Sequence, residues 1–382
     1  MDLLKGVRVL DLTRLYPGPF CTMLMADMGA EVIKVESPGE GDYMRDMGPP
    51  GEKFSLYFSN LNRNKKSISL NLKTEEAVEL FLRLAARADV VVDGFRPGVV
   101  AALGIGYEQV KRVAPDIVYC SISGYGQDGP YRERAGHDIN YMAIAGILGI
   151  SGQEDGPPLF PGIQVGDVGG GALMALTAIL GALFARSCGR GGSYLDVSML
   201  DGLISWLPMP VADLSAGREV ARGRAMLNGG LACYDVYRTA DGCYMSLGAL
   251  EPKFWAEFCR GAGREELIER QYETNQRALK KEVEDIFASR TRKEWEEIFN
   301  QFDACCEPVL TLQEMTEHPQ VVSRGMIADS SPAFPFKVSG QKLPSAGIAP
   351  VLGQHTVELL MEIGLTDDEL DRLEKQGILR KG

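Results

Sequence analysis

Two short motifs carry the residues whose chemistry stands out in this chain. The first, residues 136–141, contains the pair His137 and Asp138, and the second, residues 166–171, contains Asp167. A histidine and a carboxylate that face one carbon from opposite sides can remove a proton from one face and return it to the other. Glycine lacks a Cβ, so the second motif would also let a ligand approach the backbone closely. Together the motifs predict an acid–base site.

Both aspartates also have a plain structural interpretation as helix N-caps. Asp138 and Asp167 each precede an apolar run, and aspartate is a favoured N-cap. Capping explains neither His137 beside Asp138 nor three glycines in a first turn, where they lower helix propensity. The two roles are compatible, because a helix N-terminus stabilises a carboxylate or a developing oxyanion. The other histidines, His318 and His355, have sequence contexts typical of a surface.

The composition indicates a soluble protein of more than one compact unit. The chain has 382 residues, with 45% hydrophobic and 24% charged residues, and domains usually contain about 100–200 residues. A net charge of −12 argues against a nucleic-acid or anionic-membrane partner. Eight cysteines without CxxC spacing fit free thiols in a reducing compartment. Because the N-terminal residues also show no signal-peptide pattern, we expect a cytoplasmic protein.

One segment requires a check for a membrane span. Residues 168–185 form an uncharged run of 18 residues, which is at the lower limit for a spanning helix. The run is glycine-rich at its start, and the rest of the sequence contains no second span. We therefore expect a buried core helix.

The first part of the chain alternates strand-like and helix-like patterns. The strands are expected near residues 7–12, 32–35, 89–92 and 117–120, with helices near 20–28 and 75–87. This alternation predicts an α/β fold with a doubly wound, largely parallel sheet. Ligands of such sheets bind outside the carboxyl ends of the strands. The first strand is followed by Tyr16-Pro17-Gly18-Pro19 and not by GxGxxG, which argues against a nicotinamide-dependent dehydrogenase.

The pattern changes in the second half of the chain. Residues 233–238 and 243–247 flank a turn and predict a β-hairpin, and helices are expected at 254–261, 277–289 and 293–302. A proline-containing stretch, 331–350, predicts an extended connection before a terminal helix at 356–364 and a final polar segment. We therefore predict a discontinuous large domain from residues 1–219 and 326–382. A smaller α+β domain is expected at 220–325.

The ordered set of motifs resembles the CaiB–BaiF family of class III coenzyme A (CoA) transferases and α-methylacyl-CoA racemases. The motifs extend over essentially the whole chain; they lie at residues 11–14, 17–19, 27–36, 61–67, 96–98, 123–126, 136–141, 166–171 and 353–356. The resemblance implies a Rossmann-like large domain closed by the C-terminal segment, with a smaller domain from the middle of the chain. It also implies an interlocked homodimer, in which each chain threads through its partner.

Two chemistries share this scaffold, and they use Asp167 differently. In a transferase-like enzyme, Asp167 is the nucleophile that attacks an acyl-CoA thioester and forms a mixed anhydride. In a racemase-like enzyme, Asp167 and His137 act on opposite faces of the α-carbon, which the thioester acidifies by delocalising the enolate charge onto oxygen. Backbone donors at residues 169–171 would stabilise that oxygen.

Three features favour a racemase of 2-methylacyl-CoA. His137 stands where the formyl-CoA type of transferase has another residue. The segment 228–252 resembles the racemase small domain, and it lacks the longer glycine run of those transferases. Glu251 matches the acid that supports the catalytic histidine in racemases. Without the resemblance, the sequence would indicate a solvated turn residue at this position. Against these features, residues 41–45 and the loop before Leu61 look more like a transferase, so this alternative stays open.

The resemblance also assigns binding residues. For CoA it points to apolar Leu15, Leu70 and Leu72 and to the cations Lys73 and Arg96. The implied catalytic residues are His137, Asp167, Glu251 and Asp138, and the implied substrate pocket is formed by Tyr125, Gly126, Asn140, Tyr141, Gly169 and Gly170. No metal and no cofactor beyond the CoA of the substrate are expected.

Three further points concern charge and alternatives. Lys65 and Lys66 either add local positive charge for phosphates or form a solvated basic turn. The family often has an arginine where this chain has Ser37, so phosphate affinity would depend more on Arg96 and Lys73. A CoA-binding module without activity is a third hypothesis, whose signature would be loss of His137 or Asp167.

Overall fold

The computed structural model describes residues 1–328, 331–344 and 347–382. Within them the strands are β1 (Arg8–Asp11), β2 (Glu31–Glu36), β3 (Lys66–Ser69), β4 (Val90–Asp93), β5 (Val118–Ser123), β6 (Ser193–Ser198), β7 (Tyr234–Arg238), β8 (Tyr244–Gly248), β9 (Cys306–Pro308), β10 (Ile327–Ala328) and β11 (Ser331–Pro332). The α-helices are α1 (Pro17–Asp27), α2 (Leu56–Leu61), α3 (Glu75–Ala85), α4 (Val99–Ala102), α5 (Tyr107–Val113), α6 (Asp138–Ile144), α7 (Ile147–Ile150), α8 (Met174–Ser187), α9 (Met199–Ile204), α10 (Pro208–Ser215), α11 (Pro252–Ala262), α12 (Gln276–Phe287), α13 (Arg292–Phe299), α14 (Leu312–Glu317), α15 (Pro319–Arg324), α16 (Thr356–Glu362) and α17 (Asp367–Lys375). Tyr43–Arg45 and Glu265–Arg270 are 3₁₀ helices, and Gly166–Leu173 is a π-helix.

The larger sheet has six strands in the order β3-β2-β1-β4-β5-β6. Every neighbouring pair in it is parallel, and this is the strand order of the Rossmann fold. Its inner strands β4 and β5 are buried along their whole length, as expected for a parallel sheet with both faces covered. The predicted α/β fold with a doubly wound parallel sheet is confirmed.

The C-terminal segment completes the core around this sheet. Leu359 and Leu370 belong to the same buried cluster as Leu10 of β1 and Ile33 of β2. Two hydrogen bonds connect the C-terminal segment to β3. The His355 N–H donates to the Ser67 carbonyl oxygen, and the Ser69 N–H donates to Thr356 Oγ1. His355 itself is half-buried, and its Nδ1 accepts from the Ser67 N–H, so it is less exposed than its sequence context indicated.

The described residues form two compact units by their contacts. The first contains residues 1–145, 163–206 and 324–382, and the second contains 146–162 and 207–323. The second unit has an antiparallel sheet in the order β7-β8-β9 and an aromatic core that includes Trp255, Phe258, Phe287 and Trp295. Compared with the predicted boundaries, residues 146–162 and 207–219 group with the smaller unit, and residues 324–325 group with the larger one. Within the smaller unit, the Asn228 side-chain amide donates to the carbonyl oxygen of Ile150 in α7 at 3.1 Å.

The helical run Gly166–Ser187 is the one continuous helix of the described residues that is long and apolar enough to cross a membrane. A core helix passes the same test. However, only 39% of its most apolar window is buried, and Phe184 is 72% exposed. The expectation of a buried helix is therefore wrong for the single chain, because the chain covers only one side of it.

Two C-terminal expectations have different outcomes. The final polar segment was not predicted to be regular, yet it forms α17, which starts at a Thr366–Glu369 capping box and buries Leu370 and Leu373. The predicted extended connection at 331–350 includes residues 345–346, which lie outside the described residues.

Candidate active site

His137 is held at the start of α6 by its own backbone. It is the N-cap residue of that helix, its N–H donates to Asn140 Oδ1 at 3.0 Å, and its carbonyl oxygen accepts from the Asn140 N–H at 2.8 Å. The imidazole itself is exposed. The prediction of Asp138 as an N-cap was wrong by one residue. The Asn140 side chain contacts the His137 backbone, so its role here is to position the histidine.

Asp167 is the second residue of the π-helix Gly166–Leu173 and is not its N-cap, which is Val165. Burial raises the pKa of the Asp167 carboxyl to about 7, and the nearby charge of Asp138 contributes in the same direction. A carboxyl with such a pKa exchanges protons readily near neutral pH, which is what a general acid–base group requires.

Asp138 links the two motifs. Its Oδ1 accepts a hydrogen bond from the backbone N–H of Asp167 at 2.9 Å. A Cβ at Gly166 would lie 3.0 Å from the same oxygen, so the glycine permits this close approach. Asp138 therefore accepts a hydrogen bond from an N–H group that has no partner within the first turn of the helix that carries Asp167. Because Asp138 directly follows His137 in the sequence, this bond connects the two motifs.

The glycines of the second motif serve helix packing. A Cβ at Gly169 would lie 1.8 Å from a ring atom of Trp206, and one at Gly170 would lie 2.5 Å from the Met199 carbonyl oxygen. Across that contact, a Cβ at Gly202 would lie 2.1 Å from the Gly170 carbonyl oxygen. The prediction that these glycines open the backbone to a ligand is therefore not supported, because α9 occupies the space.

A tyrosine pair supports the backbone before His137. The Tyr141 hydroxyl donates to the Gly136 carbonyl oxygen at 2.6 Å, and its ring meets that of Tyr125 edge-on with centroids 5.1 Å apart. Burial, followed by the charge of Asp167, raises the pKa of Tyr141. Gly126 lies outside the cavity wall, and its N–H donates to Ser123 Oγ.

The first unit contains a cavity of about 360 Å³ that is lined by part of this set, while Gly126, Asp138, Asn140, Gly169 and Gly170 lie outside its lining. His137 and Asp167 both line it, as do the predicted residues Leu15, Arg96, Tyr125 and Tyr141. The cavity lies at the carboxyl ends of β1, β4 and β5, where residues 13–18 and 94–97 follow β1 and β4 and residues 122–125 end and follow β5. This is the place where ligands bind in open α/β sheets.

Three arginines on the cavity wall were missed in the sequence: Arg14, Arg132 and Arg134. With Arg96 they place four guanidinium groups around one cavity of an acidic protein. The signal was present in the sequence, because Arg132 and Arg134 directly precede the His137 motif and Arg14 follows β1. Such a concentration of positive charge suits a ligand that carries several phosphates.

Lys73 lines a neighbouring groove of about 430 Å³, which shares Arg14 with the main cavity and also contains Ser37, Tyr43 and Asn71. Leu70 and Leu72 are placed differently from the prediction. Leu70 is 1% exposed and belongs to the core, and Leu72 packs against that core. The side chain of Leu70 is therefore not available to a ligand.

Lys65 neither adds positive charge for phosphates nor lies in a solvated turn, the two interpretations that its sequence allowed. Its side chain is fully buried and its Nζ lies 3.0 Å from Asp11 Oδ2, so it neutralises an internal carboxylate. Lys66 forms surface ion pairs with Glu31 and Glu358. Both lysines are occupied by protein carboxylates.

Glu251 belongs to the second unit. It is exposed and occupies the N-cap position of α11, where its carbonyl oxygen accepts from the Phe254 and Trp255 N–H groups. Its support of His137 stays a prediction. Within the described ranges 1–328, 331–344 and 347–382, no group of three His, Cys, Asp or Glu side chains is placed to hold a metal ion.

Residues 4–356 match the model of CoA-transferase family III. The chain belongs to this family. The family III chain is 37% identical to "Alpha-methylacyl-CoA racemase" of Mus musculus, with 98% of the chain and 97% of the relative covered. It is 36% identical to "Succinyl-CoA:glutarate CoA-transferase" of Mus musculus, with 100% and 91% covered.

The fold of this family III chain also matches a solved structure. A CaiB/BaiF family protein from Brucella suis superposes with a TM-score of 0.83 at 31% identity, with 95% of the chain and 99% of that protein covered. The family assignment made from the motifs is confirmed, and the chain is an enzyme of this family, for which an acyl-CoA substrate is consistent. Racemases and transferases are equally similar to it, so similarity alone does not choose between them.

Proposed function

We propose that the protein interconverts the two configurations at the α-carbon of a 2-methylacyl-CoA thioester. The observation that carries the proposal is that His137 and Asp167 line one cavity while the pKa of Asp167 is raised to about 7. Two acid–base groups around one carbon are what a 1,1-proton transfer requires. Asp138 fixes the backbone of Asp167 and is adjacent to His137, so the spacing of the two groups is built into the fold.

The proton transfer proceeds in two steps. The Asp167 carboxylate takes the α-hydrogen as a proton, and the electrons of the broken C–H bond form an enolate whose charge lies on the thioester oxygen. Protonated His137 then donates its proton to the opposite face of the carbon, and the thioester re-forms with inverted configuration. The enzyme is left with neutral His137 and protonated Asp167, which is the starting state for the reverse reaction. No resident cofactor takes part, because the substrate supplies the CoA.

Substrate binding is assigned to the positive side chains around the cavity. Arg14, Arg96, Arg132 and Arg134 line its wall, and Lys73 lines the adjacent groove. Guanidinium groups pair with phosphate oxygens in a bidentate manner, so the CoA phosphates would bind here with the thioester directed to His137 and Asp167. Leu15 supplies an apolar contact beside these charges.

A CoA transferase with Asp167 as nucleophile is the alternative. The transferase relative covers the chain as fully as the racemase relative does, which supports it. However, the transferase mechanism gives His137, which lines the same cavity as Asp167, no necessary role.

One experiment separates the two reactions. A 2-methylacyl-CoA is incubated with the enzyme in heavy water together with a free carboxylate, and the mixture is followed by proton NMR. Racemisation replaces the α-hydrogen by deuterium and leaves CoA on its acyl group. Movement of CoA to the added carboxylate without loss of the α-hydrogen would show that the transferase alternative is correct.

We also propose that the active form is the interlocked homodimer implied by the family resemblance. The exposed apolar side of the run Gly166–Ser187, including Phe184, supports it, because a soluble monomer rarely leaves a large contiguous apolar surface uncovered. A second copy of the chain is the proposed cover.

A further inference from the structure

The turn that follows β1 forms one wall of the cavity through Thr13, Arg14, Leu15, Pro17 and Gly18. Leu15 has φ = 63°, in the left-handed region that is unfavourable for a side chain with a Cβ. Such a conformation persists only where surrounding contacts hold it. Other contacts in the structure must therefore stabilise the left-handed conformation of Leu15.

A buried ion pair holds this turn on both sides of Arg14. Asp42 Oδ1 accepts from the Leu15 N–H at 3.1 Å, and Lys34 Nζ donates to the Thr13 carbonyl oxygen at 2.8 Å. Lys34 Nζ and Asp42 Oδ2 are 2.8 Å apart, and both side chains are fully buried. The pair thus connects β2 and the segment before the 3₁₀ helix Tyr43–Arg45 to the cavity wall.

The electrostatic surroundings keep this pair charged. Burial alone would raise the pKa of Asp42, but the Lys34 charge and the N–H groups of Met44 and Leu15 hold it below its usual value. Burial likewise opposes the charge of Lys34, while Asp42, Asp11 and Glu36 raise its pKa. The other cations nearby are already paired, Lys65 with Asp11 and Arg45 with Glu36.

The same segment also orients Arg14. Its guanidinium lies 5.5 Å from the ring centroid of Tyr43, the residue after Asp42, and 5.7 Å from that of Phe95. We propose that Asp42 is a positioning residue for the acyl-CoA substrate. With Lys34 it fixes the turn so that Leu15 and Arg14 keep their places on the cavity wall, an inference that rests on the proposed function.

The test compares two double variants that differ only at position 42. Lys34→Met/Asp42→Leu removes both charges together, so no unpaired charge stays buried, and it removes the acceptor for Leu15. Lys34→Met/Asp42→Asn also removes both charges but keeps an amide oxygen as acceptor. We expect KM for a 2-methylacyl-CoA to rise about tenfold in the leucine variant relative to the asparagine variant, the effect of one hydrogen bond. The value of kcat should be similar in both.

A second readout does not depend on the reaction. Amide hydrogen exchange in peptide 12–20, measured by mass spectrometry, should be faster in the leucine variant than in the asparagine variant, and calorimetry with CoA alone should show weaker binding. A control, Arg63→Met/Asp27→Asn, removes a buried ion pair of 2.6 Å elsewhere in the same unit. It should lower Tm and leave KM unchanged. Because Asp27 ends α1, whose first turn lies in peptide 12–20, amide exchange is compared only between the two variants at position 42.

A further variant covers the case in which the leucine variant does not fold. Leu15→Gly removes the cost of the left-handed conformation, so removal of the acceptor by Lys34→Met/Asp42→Ala should weaken CoA binding less in that background than in the native chain. Equal CoA affinity and equal exchange in the two double variants would overturn the inference. Failure of the proposed function is distinct, because the native enzyme would then show no α-hydrogen exchange while the CoA-binding and amide-exchange contrasts persisted.

Discussion

Asp167 and His137 differ in how the protein treats their side chains. Asp167 is partly buried beside the like charge of Asp138, and this raises its pKa to about 7, whereas the His137 imidazole is exposed on the cavity wall. Burying a carboxylate without a cation partner costs stability. This loss of stability is expected at a position where the proposed reaction needs a group that exchanges a proton near neutral pH.

Replacing either group should stop racemisation. We expect His137→Ala and Asp167→Asn each to reduce interconversion of the two configurations about 10²–10⁴-fold, the usual contribution of a general acid–base group, with CoA affinity nearly unchanged. The group that is left still exchanges the α-hydrogen of one configuration with solvent. Interconversion is measured by chiral chromatography of the hydrolysed acyl group and affinity by calorimetry. If His137→Ala instead kept full CoA transfer and hydroxylamine trapped an acyl group on Asp167, the transferase alternative would hold.

The rate should depend on pH through Asp167. Its base form accumulates as pH rises through about 7, so kcat/KM in the direction that uses it as base should rise up to that pH. Asp138→Asn removes the like charge and should move this limb to lower pH. The Asp167 carboxyl is harder to ionise in the folded state than in the unfolded state, so the native protein loses stability as pH rises. The variant Asp167→Asn does not ionise there, and the amount by which its Tm exceeds that of the native protein should therefore increase from pH 5 to pH 8. A constant difference in Tm would contradict the raised pKa.

Arg96 tests the proposed phosphate contacts. Arg96→Ala should raise KM for the acyl-CoA and leave kcat little changed, because uniform binding energy is lost. Arg190→Ala, at an exposed arginine outside the lining of the cavity, is the matched control and should change neither constant. A fall in kcat with constant KM would assign Arg96 to another role.

At the scale of elements, the packing of the π-helix against α9 positions Asp167. Gly169→Ala and Gly170→Ala should each lower the free energy of unfolding by about 1–3 kcal/mol, because the new Cβ overlaps Trp206 or the Met199 carbonyl oxygen. Gly181→Ala in α8 is the control: its Cβ meets no atom within 4 Å, and it should stabilise the helix by about 0.5–1 kcal/mol. Urea unfolding at pH 7 measures all three, and equal effects would refute the packing role.

The elements also show how far the sequence could be interpreted. Apolar runs such as residues 89–92 and 117–120 identified four of the six sheet strands, because buried parallel strands are continuously apolar. Strands β3 (Lys66–Ser69) and β6 (Ser193–Ser198) were missed because polar residues interrupt them. Only tertiary packing makes them strands.

The candidate site could be predicted from the sequence only in part. His137 and Asp167 were found because their residue types imply a reaction. Leu70 was misplaced, because an apolar residue looks the same in a binding wall and in a core. Lys65 was misassigned because its partner Asp11 lies 54 positions earlier and no local pattern connects them.

At the scale of the whole molecule, we expect an obligate dimer. Sedimentation equilibrium at micromolar concentration should give twice the mass of 41.7 kDa. If the two chains interlock, labelled and unlabelled dimers should form no mixed species until they are unfolded and refolded together. Phe184→Asp should weaken assembly and Lys375→Asp, at another exposed position, should not. A folded monomer with full activity would contradict this expectation.

The position of the C-terminal helices has a consequence for synthesis on the ribosome. Leu359 and Leu370 complete the core around Leu10 and Ile33, so the first strands emerge roughly 350 residues before the side chains that cover them. At translation rates of about 5–20 residues per second, that interval is roughly 20–70 s. Throughout it, the apolar core around these strands lacks the part of its cover that the C-terminal helices supply. We therefore expect a nascent-chain chaperone to hold the protein until its last helix has been released.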